Sequence, residues 1–167
     1  RSGCDWSSDV CSSDLGNIDE HTANFTGNKP NNKTVYDSSL DALKLAIANN
    51  AVNTSGEYEF ANSIDLGQPY DVNLRKVLEA SSFNLNNLWD DRVDLIDDWG
   101  YIDQVGGVTE ATKCNAAVYV RSTDDDPSGS PTWSSYKEFS NVLITGRAFQ
   151  FKAILTSNDT NQNIAVT

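Results

Sequence analysis

One histidine and three cysteines are all the sequence holds of its best transition-metal ligands and nucleophiles. His21 sits in a polar leader, and one His with one distant Cys cannot build a zinc site, a Ser-His-Asp triad or a Cys-His pair. Cys4 and Cys11 fall in or beside a segment set aside below, which leaves Cys114 and no native intrachain disulfide. Cys114 alternates with Ala116, Val118 and Val120 and so reads as a small buried thiol rather than a nucleophile. No apolar run approaches ~18 residues, so no membrane-spanning helix is expected. Positive charge is scarce as well: 12 Lys and Arg stand against 24 Asp and Glu, a net charge of −12. Such a surface repels phosphate backbones, which argues against a nucleic-acid partner.

The stretch Asp5-Trp6-Ser7-Ser8-Asp9-Val10-Cys11-Ser12-Ser13-Asp14-Leu15 can be back-translated to a string resembling a common sequencing-adapter oligonucleotide read in one frame. It lacks the charged, apolar and small-residue layout of a signal peptide. Residues 1–15 are therefore expected to be a non-native scar, and the chain a fragment whose true start is missing. Thr167 is expected to be a second truncation, because Ile164-Ala165-Val166-Thr167 reads as a strand that stops. Setting the scar aside removes Arg1, Asp5, Asp9 and Asp14, so 11 basic residues face 21 acidic ones. The remaining length suffices for one domain with a sizeable core.

What is present is strand pattern. Phe149, Phe151, Ala153 and Leu155 alternate with Gln150, Lys152 and Thr156, which gives one dry and one wet face. Lys113 to Arg121 alternates in the same way. Tyr58, Phe60, Asn62 and Ile64 mark another strand, and Val72, Leu74, Lys76 and Leu78 a further one. Asn53–Gly56 reads as a turn, Asp65–Tyr70 as a break, and Gly146 as a bend or bulge. Leu40–Ile47 fits both a helix and a strand, and the strand is preferred because its surroundings are strand-like. Residues 16–37 are polar and Asn/Gly/Thr-rich and read as a linker or ragged edge. Asn24, Asn32, Asn53 and Asn158 head Asn-x-Ser/Thr triplets, which an Asn-rich chain produces by chance. The expected fold is an all-β, jelly-roll-like antiparallel β-sandwich over residues 38–167, with one long inserted loop at Asn84–Gly107.

Function in a sandwich is carried by loops. The two richest are Asn84–Gly107, with Leu88-Trp89-Asp90-Asp91-Arg92 and Ile96-Asp97-Asp98-Trp99, and Ser122–Trp133, with Asp124-Asp125-Asp126-Pro127-Ser128-Gly129-Ser130-Pro131-Thr132-Trp133. Together with Tyr119-Val120-Arg121, which leads into the second loop to make the stretch Tyr119–Trp133, and with Gly146-Arg147-Ala148-Phe149-Gln150-Phe151-Lys152, these stretches resemble the tail-tip or central-fibre (host-specificity) proteins of marine tailed phages, from about Tyr58 onward. The Arg147–Phe151 strand is also similar to galactose-binding-like β-sandwiches. The resemblance implies a non-enzymatic virion module near the tail tip, in contact with other tail proteins and with a host-surface glycan or protein. It also implies a homotrimer, without insertion into a membrane. It supplies no catalytic residues.

Trp89, Trp99, Tyr101 and Trp133 are the candidate ligand-binding residues, since flat aromatic faces suit the apolar faces of sugars; the competing reading is packing of the loop bases. Asp124, Asp125 and Asp126 are the candidate metal ligands for a structural Ca²⁺; no other cofactor is expected. Against this stands a solvated acidic turn without EF-hand spacing. Asp90, Asp91, Asp94, Asp97, Asp98 and Asp103 hold enough carboxylates for a glycosidase pair, but no geometry singles out two. A carbohydrate-binding module of a secreted bacterial enzyme and part of a polysaccharide depolymerase therefore remain as alternatives. Removing residues 1–15 is expected to leave the thermal midpoint unchanged in a melt followed by circular dichroism; a lower midpoint would give the segment a native role.

Overall fold

The computed structural model describes residues 17–85, 113–140 and 143–167. Trp89, Trp99, Tyr101, nearly all of the Asn84–Gly107 loop and residues 1–15 lie outside the described residues. The described chain is all-β, without an α-helix. In order it forms β1 (Thr34–Asp37), β2 (Ala42–Leu45), β3 (Ile47–Ala48), β4 (Ala51–Val52), β5 (Ser55–Glu59), β6 (Ile64–Asn73), β7 (Ala80–Asn84), β8 (Cys114–Thr123), β9 (Lys137–Glu138), β10 (Leu143–Ser157) and β11 (Gln162–Val166). The strand reading of Leu40–Ile47 holds in β2 and in Ile47, while Leu40 sits exposed in the turn before β2.

The alternation around Phe149 is what organises the larger sheet. Phe149, Phe151, Ala153 and Leu155 are buried, whereas Gln150, Lys152, Ile154 and Thr156 face outward between them. β10 pairs antiparallel with β8 along ten residues, with β5 along five, and with β6 at its start. β9 adds to the far edge of β8. At Gly146 the β6–β10 register shifts, as expected of a bulge. Tyr70 faces Gly146 but Asp65 already faces Ala148, so Leu66–Pro69 bow out of the ladder around Gly67 at φ +77°. That φ suits a residue without Cβ.

The second sheet has the order β1-β2-β11-β7. Its Leu43, Leu45, Ile164 and Val166 pack against Tyr58, Ala153 and Leu155 of the first sheet, which makes the antiparallel β-sandwich. A second apolar cluster, built on Phe149, Phe151, Val118, Val120, Val72, Leu74 and Phe139, continues the core along β10. β11 and β2 are joined through a side chain as well as a ladder. Fully buried Asn163 accepts from Leu45 N at 3.1 Å and donates to Leu45 O at 2.9 Å. The amide extends the pairing of Lys44 with Ala165 by one step, so a buried polar group is satisfied.

Residues 16–37 are not a linker or ragged edge, and the domain does not begin at residue 38. β1 pairs with β2 across a turn at Ser38–Asp41, so that boundary cuts a hairpin. Phe25 is 5% exposed and lies edge-on to Tyr58, 5.7 Å between ring centres. Glu20, 6% exposed, accepts through Oε2 from the Tyr58 hydroxyl and from Ala61 N. The same hydroxyl accepts from Gly27 N at 2.9 Å. A Cβ on Gly27 would lie 2.1 Å from Glu59 O, so only glycine permits this approach. Asn24, Asn31 and Asn32 have φ between 51° and 60°. Asn tolerates the left-handed region, so the composition that reads as disorder here builds tight turns.

Two smaller differences share a cause. The strand expected over Val72–Leu78 ends at Asn73, and Val77 is 90% exposed. Ser55 and Gly56, expected in a turn, open β5; the tight turn lies at Asn49–Asn50, both at positive φ. In each case alternation or a Gly signalled the element, but backbone pairing placed its boundary. Phe149→Ala is expected to lose about 3–5 kcal/mol in urea unfolding. Phe25→Ala is expected to lose a comparable amount; a loss near zero would make the N-terminal segment an appendage.

Candidate functional site

The wet face of the five-stranded sheet carries an unusual concentration of cations and rings. Cross-strand register sets Arg121 opposite Gln150, and Lys152 between Tyr119 and Glu59. Arg121 donates to Gln150 Oε1 from Nε at 3.0 Å and from Nη2 at 2.7 Å. The chain leaving β8 then folds back over this face. Ser134 N donates to Ser122 O and Ser122 N to Ser134 Oγ, both at 2.9 Å. This return lays Trp133 and Tyr136 against the Arg121 guanidinium, 5.1 Å and 4.6 Å from the ring centres. Lys152 lies 4.8 Å from the Tyr136 ring centre and pairs with Glu57 at 3.0 Å. Cation–π contacts of this kind hold both partners in place. Burial raises the Tyr136 phenol above its ordinary value, while the Arg121 and Lys152 charges pull it down.

The acidic run closes the loop. Asp125 Oδ2 accepts from Thr132 N at 2.7 Å, and Asp126 Oδ1 accepts from Ser128 N at 2.9 Å and Ser128 Oγ at 2.6 Å. Arg147 ties the loop down: its Nη2 reaches Asp126 Oδ2 at 3.1 Å and its Nε reaches Asp65 Oδ1 at 3.0 Å. Hydrogen bonds from Ser128, with Arg147 beside it, hold the Asp126 carboxyl below the ordinary range; Arg147 is the main cause for Asp65. Asp125 and Asp126 thus take N–H, O–H and guanidinium donors. No three His, Cys, Asp or Glu side chains gather at a metal-sized site among the described residues. Asp124 differs, being exposed with no side-chain partner among the described residues.

Two adjoining clefts open beside the platform, where β8 stops pairing with β10. One, of about 410 Å³, lies between Arg121, Lys137, Glu138, Leu143 and Ile144. The other, of about 330 Å³, is bordered by Asp124, Thr132 and Trp133. Ser122, Ser134 and Thr145 line both. Both are open to solvent, the second more than the first. Of the aromatic candidates, the structure places Trp133 at this opening, half-buried against Arg121. Tyr136 and Gln150 were not singled out as site residues in the sequence. Tyr136 sits in a polar stretch without period, and Gln150 reads only as the wet side of a strand.

Comparison of the chain with known protein families, with curated proteins and with solved structures gave no significant match. The class that fold and geometry define is an antiparallel β-sandwich with an aromatic–arginine platform and, beside it, an open cleft of mixed polar and apolar lining.

The Arg147 clamp has a pH signature. Asp65 and Asp126 titrate below the ordinary carboxylate range in the folded protein, so their contribution is complete above that range and fades as pH falls through the lowered values. The melting temperature of the wild type is expected to drop more than that of Arg147→Ala as pH falls from about 6 to about 3. Parallel curves would show that the clamp adds nothing to stability.

Proposed function

We propose that the chain is a structural and adhesion module of a phage tail tip or fibre, non-enzymatic, set in a trimeric tip among other tail proteins and facing a host surface. The observation that carries this reading is spatial. Tyr119–Trp133 and Gly146–Lys152, two of the stretches that resemble tail-tip proteins, are far apart in sequence, but their Tyr119–Thr123 and Ala148–Lys152 parts pair in β8 and β10. Their outward residues and connecting loop make the platform and the cleft. A rigid sheet that presents a fixed aromatic and polar face suits recognition of a host glycan or protein. Localisation in the virion follows from the same reading.

A carbohydrate-binding module of a secreted bacterial enzyme would use the same face, and the cleft favours it equally on chemistry. The depolymerase alternative draws on carboxylates at residues 90–103, outside the described residues. Sequencing the DNA on both sides of the gene separates them. Tail-assembly genes are expected; an open reading frame that fuses the chain to a hydrolase domain would overturn the tail assignment and leave the carbohydrate-binding module.

A further inference from the structure

We infer that the Trp133 cleft takes an uncharged, hydroxyl-rich glycan and discriminates against acidic ones, an inference that rests on the adhesion reading above. A sugar ring offers an apolar face of C–H groups and a rim of hydroxyls. Its receptor needs a flat ring held still and, beside it, acceptors and donors that are not already taken. Trp133 meets the first need. It borders the cleft while Arg121 and the Ser122–Ser134 backbone link hold its segment in place. Pre-ordering of this kind removes part of the entropy cost of binding.

Asp124 meets the second need. Asp125 and Asp126 spend their carboxylates on the loop, but Asp124 lines the same cleft with no partner among the described residues. A free carboxylate accepts from two sugar hydroxyls, and a charged acceptor roughly doubles the strength of each bond. Ser134 Oγ accepts from Ser122 N and keeps its proton to donate.

The charge argument runs against acidic sugars. Arg121 and Lys137 line the adjoining cleft and not the one that Trp133 borders, and Arg121 is held there by Gln150 and by two rings. Lys152 is paired with Glu57. A sugar carboxylate or sulfate would meet Asp124 instead, on a chain of net charge −12. Like charges placed together reject a partner more strongly than opposite charges recruit one.

The test is a binding titration of the full chain with neutral oligosaccharides (dextran, mannan and galactan fragments) and acidic ones (alginate, chondroitin sulfate and polysialic acid fragments). Binding to a neutral member is expected, weakened about tenfold or more by Trp133→Ala and by Asp124→Ala, as for a central contact residue. Trp133→Tyr keeps a stacking face and is expected to keep most of the binding. Asp124 is exposed, so its variant tests the site with the melting temperature unchanged. Preference for an acidic glycan would overturn the charge argument while leaving adhesion intact. Neutral binding untouched by all three variants would overturn the location. No glycan binding at all would overturn the inference, and the tail assignment would still be judged by the neighbouring genes.

Discussion

The two-sidedness of β10 is the constraint on which the rest depends. Each side chain along it has one destination, the core or the wet face, and a slip of one residue would exchange them all. The pairing with β8 over ten residues and with β5 over five fixes that register from both sides. The buried face then dictates what may stand opposite: Val118 and Val120 from β8, Tyr58 from β5, and the leucines of β2 beyond. The wet face inherits its geometry from the same pairing. Arg121 meets Gln150 because Val120 meets Phe151 one position away. Core and platform are two readings of one register.

Much of this was legible in the residues. The runs Cys114–Val120 and Phe149–Leu155 alternate with period two and are strands, and the short apolar stub Ile164–Val166 is a strand as well, buried on both faces. Gly146 was legible as an interruption of a strand run, but the residues that bow out belong to β6, and the glycine itself fits a close approach, since a Cβ there would lie 2.9 Å from Ser122 Cβ. The N-terminal segment was not legible. Its burial rests on a few side chains, Glu20 and Phe25 above all, whose partner Tyr58 lies far along the chain, and no local period announces such a contact. β9 is too short to have a period. Of the candidate site, Trp133 was legible as a loop aromatic. Its neighbours Arg121 and Tyr136 converge only when the return at Ser134 closes onto Ser122, a backbone event without a sequence signature.

Buried polar groups fix what apolar packing leaves free. Apolar side chains alone would let β11 shift along β2 at small cost, but the Asn163 amide can meet Leu45 in one register only. Glu20 does the same for the N-terminal segment through the Tyr58 hydroxyl, at a cost in desolvation: its Oε1 has no partner among the described residues, and burial with this bond pushes the Tyr58 phenol far up. Each interaction favours a single arrangement more than it favours burial as such. The half-buried Cys114 thiol belongs to the same region, donating weakly to Asn163 O at 3.6 Å.

The place of β10 in the chain has a consequence for synthesis. Its partners β5, β6 and β8 are all made before it, and Lys152 and Glu57, which it brings together, are 95 positions apart. Until β10 leaves the ribosome, those strands have open edges and apolar faces with nothing to cover them. Long-range pairing of this kind folds slowly, and exposed edges invite pairing with neighbours. The nascent chain is thus most vulnerable to aggregation while residues 58–120 are out and residues 143–157 are not. A strand late in the sequence sets the moment at which the whole sandwich becomes safe from its own edges.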